Sequence, residues 1–359
     1  MLIGFYLNEL NYRGVANSTF KYAYYNEKIL KNRSVILYNK KNHRNINDVK
    51  KVFSESFITI GVNHFREIQQ INKKFNFDYV YTQKGGEKDD WTLPNIKILV
   101  HCIYPQKLSE IHGYRYAYIS NWLEKEFSNK KVKNVPLIVE LKQTKNNLKK
   151  KLKISKGKKV FGCHGGSSSF DIQFVKDTII KIVKKRKDII FLFLNIDKFV
   201  SHSQVIFLKG TFDEVRKKEF LNTCDAMIYG RSLGESFGLA CAEFSALNKL
   251  IISYKFNRHR SHILNSNKNY VEYNSSSKLY KILNNYKKTK NKKKFNNIKK
   301  IYSPKVVMSQ FKKVFLQSKP AKISFFDKLF NYKNLMKMNL LYLQHKLYSH
   351  YYNFFIKDK

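Results

Sequence analysis

The sequence has 359 residues, a formal net charge of +43, and 43% hydrophobic and 15% aromatic residues. This length predicts two domains of roughly 100–200 residues each, and the apolar content excludes a disordered basic tail. A basic surface binds nucleic acid through its phosphates, but 59 of the 69 cationic residues are Lys and 10 are Arg. Because base recognition relies on Arg, we interpret the charge mainly as compositional bias, with a selected anionic partner as the alternative.

Neither a secretory signal nor a membrane-spanning segment is predicted. The longest uninterrupted apolar run covers residues 189–194, far short of the ~18 residues that cross a bilayer. The four cysteines (Cys102, Cys163, Cys224 and Cys241) form no CxxC pair, which is typical of reduced thiols in a cytoplasmic protein. We therefore expect a cytoplasmic location, no disulfide framework and no zinc site.

Strand-like apolar runs alternate with helical sequence in two successive regions. In the first region, strands are predicted at 2–7, 34–37, 57–61, 79–81 and 96–100, with a helix at about 17–30. In the second region, strands are predicted at 160–163, 189–194, 204–208, 226–229 and 250–253, with helices near 171–185, 213–222 and 234–247. This alternation predicts an α/β protein with two parallel sheets, each covered on both faces.

Runs of lysine separate and follow these two regions. Nine Lys and no acidic residue lie between 141 and 159, which predicts a solvated linker with a helix. The predicted domains are 1–140 and 159–315, joined by a linker at 141–158 and followed by a tail at 316–359. Ten aromatic residues lie between 322 and 359 at roughly helical spacing, together with Lys. This tail is predicted to contact an anionic membrane or to pack back on the first domain.

The most informative segment contains two glutamates, Glu235 and Glu243, spaced eight residues apart. Glu235 is predicted in a strand-to-helix loop and Glu243 two turns into the helix. The backbone N–H groups between them, at a helix N-terminus, attract an anion such as a diphosphate; they belong to Ser236, Phe237, Gly238 and Leu239. Glu243 is then placed to accept hydrogen bonds from a ribose diol, and Glu235 to face a ligand at the strand end.

This segment resembles the E-x7-E motif of retaining GT-B glycosyltransferases of the group 1, or family 4, type. The resemblance extends over residues 1 to about 285. Four stretches (13–30, 100–122, 161–174 and 222–244) are similar to a subgroup of bacterial and viral members. The resemblance implies a GT-B architecture, in which two Rossmann-like domains face each other across a cleft, with a helical C-terminal tail.

The resemblance also implies roles for residues of the first domain. His101 follows a predicted strand and corresponds to a histidine that lies near the reacting sugar in relatives. Arg13 and Gly14 lie in a segment that resembles the glycine loop approaching the donor phosphate or the acceptor. The alternatives are that His101 is an ordinary histidine at a strand end and that Gly14 is an ordinary glycine in a turn, neither of them binding a ligand.

One departure from the family concerns the loop after the first strand of the second domain. Many members carry an Arg and a Lys there to bind the donor diphosphate, but residues 163–171 contain neither. We hypothesise that Arg231, His164 and the backbone N–H groups of Gly165 and Gly166 provide the positive field instead. Arg13 would add to it from the first domain.

The resemblance implies a metal-independent glycosyltransferase of polysaccharide biosynthesis that acts with retention of configuration. Its partners would be a nucleotide-sugar donor and a glycan, lipid-linked or other surface-polymer acceptor, with no cofactor, metal ion or specific nucleic acid. Asp89 and Asp90 are adjacent rather than spaced as in an Asp-x-Asp motif. The alternatives are a basic nucleic-acid-binding protein, or a GT-B remnant that binds glycans without catalysis. The protein is expected to contact the inner membrane face peripherally only if its tail, residues 316–359, binds the membrane.

Overall fold

The computed structural model describes residues 1–265, 269–288 and 297–357. The chain divides into two compact units. The first unit comprises Met1–Ile138 and Lys300–Met336, and the second comprises Val139–Lys299 and Lys337–Lys359. The residues from Lys300 to Met336 therefore return to the first unit, whereas the sequence assigned 300–315 to the second domain and the rest to a separate tail.

Packing of aromatic side chains explains this return. Phe311 and Phe315 are fully buried, and their rings lie 5.6 and 5.7 Å from the ring of Tyr81 in the first unit. Phe311 also lies 5.5 Å from Tyr22. Burial of such large apolar surfaces outweighs the tendency of this Lys-rich stretch to remain in solvent.

Within the described residues, the first unit has a sheet of six parallel strands in the order β3-β2-β1-β4-β5-β6. The strands are β1 Leu2–Leu7, β2 Arg33–Asn39, β3 Ile58–Val62, β4 Tyr79–Lys84, β5 Ile98–Cys102 and β6 Arg115–Tyr118. The first helices of the chain are α1 Gly14–Lys28, α2 Asn47–Ser56, α3 Ile68–Phe75 and α4 Asn121–Ser128. This is the strand order of a Rossmann fold, and it confirms the predicted parallel sheet.

The main sheet of the second unit repeats this order, with six parallel strands among the described residues arranged as β14-β12-β10-β7-β8-β9. Its strands are β7 Lys159–His164, β8 Ile189–Leu194, β9 Val205–Leu208, β10 Ala226–Tyr229, β12 Leu250–Tyr254 and β14 Tyr270–Tyr273. A short parallel pair lies beside it, β11 Gly234–Glu235 and β13 His259–Arg260. The sequence analysis did not identify β14, β11 or β13.

The second unit has the helices α5 Gln173–Lys185, α6 Glu214–Thr223, α7 Leu239–Ser245, α8 Ser261–Leu264 and α9 Ser276–Asn284. Two of them, α5 and α6, follow the predicted positions closely, the predicted helix of the motif segment is shorter than expected, and α8 and α9 were not predicted. The predicted helix 234–247 begins only at Leu239, because Gly234 and Glu235 pair with β13 as a strand. After α9 the described part of the chain forms four more helical segments, which are α10 Ile298–Ile301, α11 Pro304–Phe311, a π-helical turn Lys312–Gln317 and α12 Phe325–Phe355.

The predicted linker 141–158 contains neither a helix nor a strand. It is not fully solvated, because Leu148 and Ile154 are buried in the core of the second unit. The backbone N–H of Leu148 donates to Thr223 Oγ1 at 2.7 Å, and the Asn222 amide donates to the carbonyls of Thr144 and Asn146. Two apolar side chains and these hydrogen bonds hold an otherwise Lys-rich segment against the end of α6.

The long helix α12 contributes to both units, because its residues up to Met336 belong to the first and those from Lys337 to the second. In the first unit, Asn331 donates to the carbonyls of Gln106 and Phe127 and accepts from the N–H of Leu108. This part of the predicted tail thus packs back on the first unit. Among the described residues, no helix combines the length and the apolar character that crossing a bilayer requires.

Candidate functional site

The loops after β7 and β10 define the candidate site of the second unit. These two strands are neighbours in the sheet and parallel, so their carboxyl ends lie at one edge. The strand order changes direction between them, which is where open α/β sheets bind ligands. His164 ends β7, and the residues from Gly230 to Glu235 follow β10. The structure therefore brings the predicted loops 164–166 and 230–235 to this edge.

Glu235 is held in place by two donors that bind one of its carboxylate oxygens. Oε1 accepts a hydrogen bond from the Tyr229 hydroxyl at 3.0 Å and from Arg231 Nη1 at 2.9 Å. Oε2 accepts no hydrogen bond within the part of the chain that the structure describes. The side chains of Glu235 and Arg231 are each 26% exposed. One oxygen is thus oriented by the protein and the other is open to a hydroxyl donor.

The loop that carries Arg231 is fixed by side chains from outside the motif. Asp171 accepts from the N–H and the hydroxyl of Ser232 at 2.7 and 2.9 Å. The N–H of Asp171 donates to the carbonyl of Gly230, and the amide of Asn257 donates to the carbonyl of Arg231. The sequence analysis did not identify Asp171 or Asn257, since no local motif distinguishes them from the other Asp and Asn residues of the chain.

Two glycines shape the motif segment. Gly234 has φ +72°, and a Cβ there would collide with the carbonyl oxygen of His259. Gly238 has φ +83°, and a Cβ there would lie 2.7 Å from the Cβ of His262. Only glycine adopts such positive φ angles without strain. They turn the chain around Glu235 and start α7 at Leu239, while Ser236 and Phe237 are buried between them.

Glu243 lies in a buried cluster of charged groups. Its side chain is 0% exposed, with Oε2 2.9 Å from His164 Nε2 and Oε1 2.8 Å from Lys217 Nζ. Lys217 also lies 2.9 Å from Glu214. Burial alone would lower the pKa of Lys217, but these two carboxylates raise it above its ordinary value. The sequence predicted that Glu243 accepts hydrogen bonds from a ribose diol; in the structure, His164 and Lys217 surround the carboxylate instead.

Lys217 brings a cation close to His164 and Glu243 that the sequence analysis did not identify. It projects from α6 rather than from the β7 loop, and its side chain is 9% exposed. No local signal separates Lys217 from the other lysines of the chain, so only the tertiary structure reveals this contact. His164, predicted to face a diphosphate, contacts Glu243 and is 13% exposed.

The predicted glycine pair of the β7 loop follows His164 directly. The carbonyl of Gly165 accepts from the Asn195 side chain at 2.6 Å, and a Cβ on Gly165 would lie 2.7 Å from Ser169 Oγ. Gly166 precedes a single 3-10 turn, Ser167–Ser169. Gly165 therefore allows this turn to lie close to the end of β7.

His101 lies in the core of the first unit, not at a surface. It is 0% exposed, and Nε2 donates to the carbonyl of Val135 at 2.9 Å. Nδ1 is therefore the acceptor of the hydrogen bond from the Tyr81 hydroxyl at 2.6 Å. Burial lowers its pKa to about 3, so the ring is neutral. This geometry corrects the prediction of a histidine near a reacting sugar, because both nitrogens bind protein groups.

Arg13 and Gly14 lie at the start of α1 in the first unit. Arg13 occupies the N-cap position, and its Nη1 lies 3.9 Å from Glu9 with 41% of the side chain exposed. A Cβ added to Gly14 would meet no atom within 4 Å. The protein itself does not require glycine at this position, which is compatible with the predicted close approach of a ligand.

The described residues contain no group of three or more His, Cys, Asp or Glu side chains that could hold a metal ion. All four cysteines are free and buried. Burial raises the pKa of the Cys102 and Cys224 thiols to about 12, so both remain protonated at neutral pH.

Neither a protein-family model nor a curated protein sequence matches this chain. Solved structures do match it. A glycosyltransferase from Rickettsia africae aligns with a TM-score of 0.54 and 16% identity over 95% of this chain and 98% of its own. HepE from Anabaena, in complex with UDP-glucose, aligns with a TM-score of 0.59 and 10% identity over 95% of this chain and 100% of its own.

The UDP-GlcNAc 2-epimerase from Neisseria meningitidis, bound to UDP-GlcNAc, aligns with a TM-score of 0.57 and 12% identity over 89% of this chain and 100% of its own. The fold is the GT-B fold. Its two Rossmann-like domains are the two six-stranded units of the described chain, and its C-terminal helix is α12. The predicted fold class is thereby confirmed. GT-B proteins with this likeness include both glycosyltransferases and UDP-sugar epimerases.

Proposed function

We propose that this GT-B protein is a glycosyltransferase that transfers a sugar from a nucleotide-sugar to a glycan, a lipid-linked acceptor or another surface polymer. The observation that carries this proposal is the arrangement of Glu235. It lies at the carboxyl edge of the second sheet, oriented through Oε1 by Tyr229 and Arg231, with Oε2 open. An oriented carboxylate beside a guanidinium can bind a sugar hydroxyl and a diphosphate at the same time.

The similar structures support a nucleotide-sugar as the donor. HepE is in complex with UDP-glucose, and the Neisseria epimerase is bound to UDP-GlcNAc. The E-x7-E resemblance around Glu235 supports transfer rather than epimerisation. We propose UDP or a related nucleoside diphosphate as the leaving group.

The proposed reaction places specific demands on the protein. Negative charge builds on the nucleoside diphosphate as the glycosidic bond breaks, and fixed donors stabilise it best. Arg231 would balance this charge, and Glu235 Oε2 would accept a hydrogen bond from a hydroxyl of the transferred sugar. Tyr229 would keep Glu235 in position. We propose that transfer requires no metal ion or other cofactor and proceeds with retention, as the E-x7-E resemblance implies.

We also propose that the protein acts in the cytoplasm, at an anionic membrane surface that α12 contacts. Of the 21 large apolar side chains that are exposed in the described residues, 11 lie on α12, including Phe325, Phe326 and Leu347. Lys328, Lys333 and Lys346 are also exposed, whereas Asp327 is buried. Exposed aromatic and apolar groups interspersed with Lys fit the boundary of an anionic lipid surface.

The test is a panel of nucleotide-sugars, with thermal stabilisation and release of the nucleoside diphosphate as readouts. We expect one donor to stabilise the protein and to be turned over slowly by water or by an added glycan. Glu235→Gln should abolish turnover, and Arg231→Ala should weaken donor binding at least tenfold. Arg186→Ala is a matched control, because Arg186 pairs with Asp188 at 2.9 Å and its side chain is 28% exposed.

Four outcomes would contradict the proposal or a part of it. If no donor stabilises the protein, the nucleotide-sugar assignment is wrong. If UDP-GlcNAc is converted to its 2-epimer, the chemistry is epimerisation. If Glu235→Gln keeps full turnover, the site lies elsewhere. NMR of the first-formed product decides the configuration, and a product of inverted configuration would refute retention.

A further inference from the structure

The buried histidine His262 lies next to the candidate site of the second unit, on the short helix α8. Its side chain is 0% exposed, so it does not contact a substrate directly. Burial lowers its pKa to about 3, and the neutral imidazole has one N–H donor and one acceptor nitrogen. Any role of this residue in the site therefore depends on the groups that the ring contacts.

The first contact of His262 is with the residue that orients Glu235. The ring centroids of His262 and Tyr229 lie 4.8 Å apart, with an interplanar angle of 32°, and the hydroxyl of Tyr229 donates to Glu235 Oε1 at 3.0 Å. A Cβ on Gly238, the N-cap of α7, would lie 2.7 Å from the Cβ of His262. The histidine thus packs against both Tyr229 and the start of α7, and it restricts the tyrosine whose hydroxyl holds Glu235.

A chain of hydrogen bonds links His262 to the loop that carries Arg231. His262 Nε2 lies 2.9 Å from Ser253 Oγ, and the Ser253 hydroxyl donates to Asn257 Oδ1 at 3.4 Å. The amide of Asn257 donates in turn to the carbonyl of Arg231. His262, Ser253 and Asn257 are all fully buried, so water does not compete for these bonds and the low local dielectric strengthens them.

The direction of this chain follows from its acceptor end. Asn257 Oδ1 accepts the single proton of the Ser253 hydroxyl, so Ser253 Oγ accepts in turn from His262 Nε2–H. Nδ1 is then the unprotonated nitrogen, and it is buried with no hydrogen-bond partner among the described residues. The other tautomer would use the Ser253 proton at Nε2, which leaves both an Nδ1–H group and Asn257 Oδ1 without these partners and costs more free energy.

We propose that His262 is a positioning residue for both charged groups of the candidate site. Its ring fixes Tyr229, which orients Glu235. Its N–H group fixes the backbone of Arg231 through the hydrogen-bond chain. The contribution of His262 to transfer rests on the proposed function, whereas its contribution to the order of the loop does not, because these contacts require no donor.

Two substitutions of similar chemistry test the chain without any substrate. His262→Gln places an amide N–H near the position of Nε2, whereas His262→Asn places its amide near Nδ1, which makes no hydrogen bond among the described residues. We expect His262→Asn to speed the exchange of backbone amides in 230–238 about tenfold, the loss of roughly one buried hydrogen bond, and His262→Gln to speed it by less than about threefold. Hydrogen-exchange mass spectrometry measures both. Equal exchange in the two variants would overturn the proposal.

Ser253→Ala breaks the same chain one residue further on, and it tests the proposal even if His262→Asn does not fold. Alone it should speed exchange in 230–238 as His262→Asn does. The double variant should show no further increase, because either substitution already interrupts the chain. Additive increases in the double variant would overturn the proposed chain.

Turnover of the donor separates positioning from a loss of stability. His262→Asn should lower kcat about tenfold and raise KM for the donor severalfold, because Glu235 and Arg231 both lose their fixed positions. Phe191→Leu is the control, since Phe191 is fully buried in the core of the second unit. It should lower the urea midpoint and leave kcat and KM unchanged. If it lowers kcat as much as His262→Asn does, the effect is one of stability and the proposal is wrong.

Failure of the proposed function is distinguishable from failure of this inference. If no donor is turned over, the proposed function is wrong, and hydrogen exchange still decides whether His262 orders the loop. If transfer occurs and His262→Asn changes neither the exchange of 230–238 nor kcat, the role of His262 is refuted and the proposed function stands.

Discussion

Lys217 Nζ lies 2.8 Å from Glu243 Oε1, and neither side chain is more than 9% exposed. Removing charges from water is costly, and the cost is recovered only while both partners are present. The second glutamate of the motif is therefore tied to α6, and the stability of the second unit depends on this contact.

Lys217→Met leaves the Glu243 carboxylate buried with His164 and without its lysine partner. We expect the free energy of unfolding to fall by about 3–5 kcal/mol, measured by urea denaturation. The double variant Lys217→Met/Glu243→Gln should lose less, because the buried carboxylate at position 243 is removed together with its lysine partner. Lys218→Met is the control, since this residue is similarly buried but bonds to the neutral amide of Asn222. Equal losses for Lys217→Met and Lys218→Met would contradict this account.

His101 predicts a dependence of stability on pH. Its pKa is about 3 in the folded chain because it is buried, against about 6.5 when unfolded. The unfolded chain therefore binds an extra proton at this residue below pH 6.5, and His101 lowers stability by about 1.4 kcal/mol per pH unit between pH 6.5 and 3. Burial also lowers the pKa of His259 and of His262 to about 3, so these two residues add to the same slope. His101→Gln should reduce the slope by about 1.4 kcal/mol per pH unit in urea titrations at pH 7, 6, 5 and 4. His43→Gln, at an exposed site, should not, and an unchanged slope for His101→Gln would refute the assignment.

Gly238 and Gly14 predict opposite results for the same substitution. Gly238→Ala should destabilise the protein by about 1–3 kcal/mol, because φ is +83° and the new Cβ meets His262. Gly14→Ala should stabilise α1 by up to about 1 kcal/mol, since its Cβ meets open space. Thermal denaturation measures both. If a ligand approaches the backbone at Gly14, Gly14→Ala should also raise KM for the donor. A loss of stability in Gly14→Ala would contradict the open space around this residue.

Tyr229 positions Glu235 through a hydrogen bond of 3.0 Å. Tyr229→Phe removes this bond while keeping the ring, and we expect kcat for the proposed transfer to fall about tenfold with little change in KM. Tyr273→Phe is the control, because its hydroxyl donates to the carbonyl of Tyr229 and does not contact Glu235. If both variants reduce kcat equally, the effect is structural rather than specific to Glu235.

The exposed face of α12 predicts binding to anionic vesicles. Phe325, Phe326 and Leu329 are 73%, 78% and 57% exposed, and replacing all three with Ser should lower binding to phosphatidylglycerol vesicles at least tenfold in flotation assays. Ile58→Ser is the control, because Ile58 is 53% exposed on a strand of the first unit. Equal flotation of the triple variant and the unmodified chain would exclude the start of α12 as the contact.

The sequence by itself determined the layout of the two sheets. The buried runs of β1, β8 and β10 appear at their predicted positions, because a short apolar run between polar segments has few ways to leave water other than in a covered sheet. The position of Glu235 after a strand follows from the same pattern. These features depend on neighbours in the sequence, which a local pattern records.

Only the tertiary structure decided which residues meet across the chain. Lys217 is one of 59 lysines, and its contact with Glu243 depends on how α6 packs beside α7. The burial of His101 depends on Tyr81 and on Phe315, which lies more than 200 residues further along the chain. The return of 300–336 to the first unit has the same origin. Such contacts arise from long-range packing of side chains, and the residues next to a charged or aromatic residue in the sequence do not indicate which distant residue it contacts.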